Sequence, residues 1–212
     1  ATYFSALYLE HAYGKDTLNA VLNKNKGQIF RFSALKPKGT IVDSTASNLM
    51  DLLNPNSYQK GGWVLHMLRH ELGDDVFWKG IRAYYTAYRN RNAQSSDLQA
   101  IMEKESGKKL GQFFQQWLYQ PGFPEIVWSS RYDATKKSLV IDVRQAQRTG
   151  HLFTIPLTFS LRDNRGRELS RSSKLTLSEQ TQTYTIPAAT KPATVVIDPD
   201  NTVLMRSTQM GN

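Results

Sequence analysis

Apolar residues recur at helical spacing up to the segment Pro121-Gly122-Phe123-Pro124, and beyond it short β-branched and aromatic runs alternate with turn residues. The first half predicts a succession of helices. Residues 1 to about 13 form an amphipathic stretch with Phe4, Leu7, Tyr8 and Ala12 on one face, closed by Gly14. Ala1 already lies inside that pattern, so the helix begins without the Ser, Thr, Asp or Asn that usually caps one. Lys15 to Lys24 predicts a second helix, and Gly27 to Thr40 reads as a polar loop containing Gly and Pro. Asn54-Pro55-Asn56 is a strong turn signal. Tyr58 to Leu72 then predicts the most apolar helix, with Val64, Leu65 and Leu68 inward and Gly73 at its end. Asp74 is placed to cap the next helix, which carries Phe77, Trp78, Ile81, Tyr84, Tyr85 and Tyr88. Ser95 or Ser96 opens a helix through Glu105 that Gly107 stops, and Leu110 to Tyr119 is the last.

The second half predicts strands over Glu125 to Tyr132, Ser138 to Gln147, Phe153 to Leu161, Glu168 to Leu177, Gln182 to Ile186 and Thr194 to Asp198. Leu139, Ile141 and Val143 alternate with Val140, Asp142 and Arg144, the signature of a half-buried antiparallel strand. Six or seven short strands over this length suggest a small β-sandwich. The expected class is therefore α+β: a helical domain over residues 1–122 and an antiparallel β-sandwich over 123–212.

Composition excludes several functions. The chain has no cysteine, so disulfides, thiolate nucleophiles and thiolate metal sites are ruled out. The formal charge of +9 raises the question of nucleic acid. Residues 1–122 carry 15 basic and 10 acidic side chains and residues 123–212 carry 12 and 8, so the excess is spread over both halves. A nucleic-acid site would concentrate it on one face, and none is expected here. No apolar run approaches the roughly 20 residues that cross a bilayer, and the first residues lack the features of a signal peptide. A soluble chain, cytoplasmic or exported, is expected.

His66 and His70 stand at i and i+4 on one helix, the spacing that zinc proteases use. Met67 follows the first histidine where a water-activating Glu belongs, and Glu71 lies beyond the second, so a structural or exposed role is expected for both. No phosphate loop and no Gly-x-Ser-x-Gly elbow is present. Tyr58, on the first turn of the apolar helix and reached from a Pro-containing loop, is placed to present its hydroxyl at the edge of a cavity. Gly61 and Gly62, a turn later, permit close packing or close approach of a ligand.

Tyr58-Gln59-Lys60-Gly61 before an apolar helix resembles the Tyr-x-Lys-Gly motif of the aminopeptidase N-type zinc peptidases, the gluzincin aminopeptidases. Leu72-Gly73-Asp74 with Phe77, Tyr84 and Tyr85 is similar to the helix pair that follows it there. Ser95-Ser96-Asp97-Leu98 resembles the start of the family's next helix. Phe114, Trp117 and Gly122-Phe123-Pro124 resemble the exit into a β-domain, and Ile197-Asp198-Pro199-Asp200 its closing strand and turn. At the other end, Ala1-Thr2-Tyr3-Phe4 with Tyr8-Leu9-Glu10-His11 and Tyr13-Gly14 resembles the helix after the Asn-Glu-Gly-Phe sequence, whose Glu is the last zinc ligand.

The resemblance implies the carboxy-terminal part of such an enzyme. A parent would cleave amino-terminal residues from peptides with a zinc ion whose His-Glu-x-x-His helix, general base and substrate-amine carboxylates fall before Ala1. No metal is expected in this chain, and the chain alone is expected to be inactive. Glu10 is expected to face solvent and not to replace the missing ligands. Tyr58 matches the family's tyrosine that donates a hydrogen bond to the oxyanion; a phenol stays protonated, and so a donor, at neutral pH. The alternative is a stand-alone, non-catalytic module that binds a peptide or protein partner.

Overall fold

The computed structural model describes residues 1–211. The chain divides into two compact units, Ala1–Pro121 and one from Gly122 onward. The first is helical and the second is built of strands, the expected α+β class.

In the first unit, α1 (Thr2–Tyr13) buries Tyr3, Ala6 and Leu7. The expected face differs: Phe4, Tyr8 and Ala12 are exposed. Aromatic residues surround this helix on several sides, so periodicity alone does not choose the buried stripe. The second helix, α2 (Lys15–Leu35), runs straight through the segment expected to be a loop. One glycine inside a helix costs about 1 kcal/mol. Burying Ile29 completely, beneath Leu18 and Leu22, is worth about 1.5–3 kcal/mol and wins. Helix continues up to the residue before Lys36-Pro37.

A 3₁₀ turn (Leu49–Leu52) leads to Asn54, whose Oδ1 accepts from the backbone N of Asn56 at 2.8 Å. A π turn (Asn56–Lys60) follows and passes directly into α3 (Gly61–Leu72). Trp63, Val64, His66, Met67 and Leu68 of α3 are buried, and Trp63 Nε1 donates to the Leu22 carbonyl of α2 at 3.1 Å. Gly62 is what lets α1 lie close, since a Cβ there would meet Thr2 Cγ2 at 3.5 Å and Tyr3 N at 3.6 Å. α4 (Asp74–Tyr88) starts after Gly73 at φ 81. Asp74 does not cap it; as its first residue, it turns back to Arg69 instead. α5 (Ser95–Ser106) is held at its start by Asp97, which accepts from the Gln94 backbone N at 2.7 Å, and ends on the left-handed Gly107. α6 (Gly111–Phe114) and a second π turn (Gln115–Tyr119) bury Phe114, Trp117 and Leu118.

In the second unit, β1 (Glu125–Asp133) and β2 (Ser138–Gln145) form the centre of a sheet ordered β7-β2-β1-β9, with β7 spanning Thr181–Pro187 and β9 spanning Arg206–Gln209. Leu139, Ile141 and Val143 are buried as the alternation requires. The run expected as one strand over Phe153 to Leu161 is two, β3 (Ile155–Leu157) and β4 (Phe159–Arg162). The break at Thr158 lets the chain change partners, because β3 pairs with β6 (Leu175–Leu177) whereas β4 lies between β5 (Glu168–Arg171) and β8 (Thr194–Ile197). The expected strand over Glu168 to Leu177 divides into β5 and β6 for the same reason. Trp128 of β1 meets Phe159 of β4 edge to face at 6.1 Å between ring centroids, joining two layers of a sandwich. β9 was not expected. All four of its residues are exposed, so it has no alternation to detect, and its pairing with β1 is parallel, which departs from a wholly antiparallel reading.

Candidate functional site

The first unit contains a cavity of about 340 Å³ lined by residues of α1, the π turn, α3, α5 and α6. Tyr58, Gly61 and Gly62 line it together with Thr2, Leu98 and Phe114. Tyr58 is 45 % exposed and belongs to the π turn. Among the described residues its hydroxyl has no hydrogen-bond partner, so the donor is open to a ligand.

The turn itself is held firmly. Tyr58 N donates to Asn54 O at 3.2 Å and Lys60 N to Pro55 O at 2.9 Å. On either side of Tyr58 stand two buried polar residues, Asn56 of the turn signal and Lys60 of the motif, to which the sequence alone assigned no role. Asn56 Nδ2 donates to Thr40 O at 3.3 Å, and Lys60 Nζ to Gln120 O at 3.4 Å. Burial lowers the Lys60 ammonium from its ordinary range to about 8.

The rings of His66 and His70 stand 4.6 Å apart, centroid to centroid. His66 is buried, with Nδ1 3.1 Å from the Tyr3 hydroxyl and its ring edge-to-face against Trp63 at 5.2 Å. His70 is exposed, and Glu71 bridges to Lys108 at 3.1 Å. A zinc ion needs three or four converging donors. Among the described residues no group of three or more His, Asp or Glu side chains converges.

Glu10 corrects its expectation. It turns to Arg69, whose Nη1 donates to Glu10 Oε2 at 2.7 Å while Nε and Nη2 grip Asp74 at 2.8 Å each. Arg69, itself largely buried, thus fastens α3 to α1 and to the start of α4. The Arg69 hydrogen bonds hold the Asp74 carboxyl below the ordinary aspartate range. No helix among the described residues is long and apolar enough to cross a membrane.

A solved structure of Legionella pneumophila aminopeptidase A, in complex with aspartic acid, superposes on the whole chain with a TM-score of 0.82 at 16 % identity, covering 23 % of that protein. At that identity the likeness concerns the fold. Aminopeptidase N of Lactococcus lactis subsp. lactis is 36 % identical over 105 residues, which is 47 % of this chain and 12 % of the relative. Glutamyl aminopeptidase of Rattus norvegicus is 24 % identical over 172 residues, 77 % of this chain and 18 % of the relative. The chain therefore spans less than a fifth of either curated relative. Residues 122–200 match a domain of unknown function with an Ig-like fold (DUF3458). Residues 1–117, more than half of the sequence and including the whole Tyr58 cavity except Leu118, match the peptidase family M1 domain, and the chain belongs to that family.

Proposed function

We propose that this chain is the carboxy-terminal part of a zinc-dependent aminopeptidase and that its contribution to the reaction is the Tyr58 hydroxyl. The observation that carries the reading is that hydroxyl: half-exposed, lining the cavity, without a partner among the described residues and seated on a firmly bonded turn. In peptide hydrolysis water adds to the scissile carbonyl carbon, and its oxygen becomes an oxyanion before the C–N bond breaks. A phenol hydrogen bond aimed at that oxygen is strongest when the charge is present, so it lowers the barrier more than it tightens substrate binding. Zinc and the general base would come from residues outside this chain, and the chain alone is inactive on this reading. The units beginning at Ala1 and near Gly122 act as catalytic-domain segment and β-sandwich support respectively. Tyr58→Phe in the full-length enzyme is the test. Loss of the donor lowers kcat roughly 10²–10³-fold with little change in KM. Near-wild-type kcat with a lowered melting temperature would make Tyr58 a packing residue.

A further inference from the structure

Residues two apart in a helical turn point to opposite sides, so the Asn56–Lys60 turn aims Asn56 and Lys60 inward when Tyr58 faces outward. Both inward residues are polar, and both are buried: Asn56 is 3 % exposed and Lys60 0 %. Each reaches across the fold to a backbone carbonyl. Asn56 Nδ2 donates to Thr40, 16 residues earlier, and Lys60 Nζ to Gln120, 60 residues later. Gly39 leaves room for the first contact, since a Cβ there would stand 3.1 Å from Asn56 Nδ2.

Packing does not require either side chain. A methionine fills the space of a lysine without the cost of desolvating an ammonium, which is several kcal/mol for a buried ion. Burial alone, with no carboxylate among the causes, is what lowers Lys60 to about 8. An expensive group that makes a single directed bond from the turn is explained by where it holds that turn.

We propose that Asn56 and Lys60 are positioning residues for Tyr58, tying the two ends of its turn to Thr40 and Gln120 so that the phenol meets the cavity in one orientation. The inference rests on the oxyanion reading of Tyr58. The clamp cuts the freedom of the donor before substrate arrives, so its loss lowers kcat while leaving KM nearly unchanged.

The experiment is a double-mutant cycle in the full-length enzyme, with hydrogen exchange over residues 54–62 measured on the same proteins. Lys60→Met is expected to lower kcat roughly tenfold or more when Tyr58 is present and less than about threefold in Tyr58→Phe, because the two act as one unit. Exchange at 54–62 is expected to quicken in Lys60→Met while the α4 amides keep their rates. Asn56→Ala, on the opposite flank, is expected to do the same and serves if Lys60→Met fails to fold. Equal losses of kcat in both backgrounds, or unaltered exchange at 54–62, would overturn the proposal. If Tyr58→Phe keeps its kcat, the oxyanion reading fails by itself, and exchange alone decides whether the clamp exists.

Discussion

The Tyr3 hydroxyl lies 3.1 Å from Nδ1 of His66, and this contact closes α1 over the histidine that a zinc-protease spacing would have aimed at a metal. Burial pushes the Tyr3 phenol up to about 12, so it keeps its proton at neutral pH.

Metal analysis follows from that arrangement. After dialysis the 212-residue chain is expected to hold well under one zinc per molecule, since among the described residues no group of three or more His, Asp or Glu side chains converges. One tightly retained zinc per chain would contradict the account of His66 as a core residue.

Lys60 makes stability depend on pH in a known direction. Its folded-state value of about 8 lies below the unfolded value near 10.4, so between those limits the unfolded chain binds more protons. Burying the charged form is a penalty at pH 7 that is relieved as pH rises through 8. Stability is expected to climb between pH 8 and 10 by an amount on the order of 3 kcal/mol, and Lys60→Met is expected to flatten the climb. Denaturant midpoints at pH 7, 8, 9 and 10 check this; parallel curves for the two proteins would remove the buried ammonium from the account.

Gly80 and Met102 interlock α4 with α5. A Cβ on Gly80 would stand 2.4 Å from Met102 Sδ, and Met102 is fully buried. Alanine is the better helix former by about 1 kcal/mol, whereas overpacking costs about 1–3 kcal/mol. Gly80→Ala is therefore expected to lose about 1 kcal/mol net. In a Met102→Ala background the sign should reverse, because the crowding atom is gone and propensity remains. Thermal melts of the four proteins give the cycle, and a Gly80→Ala gain in the natural background would refute the interlock.

The strand unit has its own core, with Ile126, Trp128, Ile141, Phe159, Leu161 and Leu204 buried. It also satisfies its buried Gln145, whose Oε1 accepts from Phe153 N at 2.9 Å and whose Nε2 donates to Phe153 O at 2.8 Å. Expressed from Phe123 onward, it is expected to melt cooperatively with a β-type circular dichroism spectrum. Gln145→Leu should lower that melt by about 1–3 kcal/mol by orphaning the Phe153 backbone. A disordered spectrum for the isolated segment would show that its core is not self-sufficient.

Local pattern determined much of this protein. Helix ends at Gly73 and Gly107, the turn at Asn54-Pro55-Asn56 and the inward set Leu139, Ile141 and Val143 each follow from backbone preference or a fixed side-chain period, and need no knowledge of distant residues. The motif Tyr58-Gln59-Lys60-Gly61 likewise pointed to the family before any geometry was available. Tertiary structure decided the remainder wherever two local readings were close in energy. Ile29 turned a glycine-containing loop into helix because its burial outweighs the glycine penalty. The inward face of α1 went to Tyr3, Ala6 and Leu7, since α3 offers Gly62 and His66 to that side. Glu10 was drawn from solvent by Arg69, 59 residues away, and β9 exists because β1 offers it an edge. The burial of Lys60 belongs to the same class: its partner carbonyl on Gln120 is 60 residues distant, and only the folded chain brings that oxygen within reach of the turn that carries Tyr58.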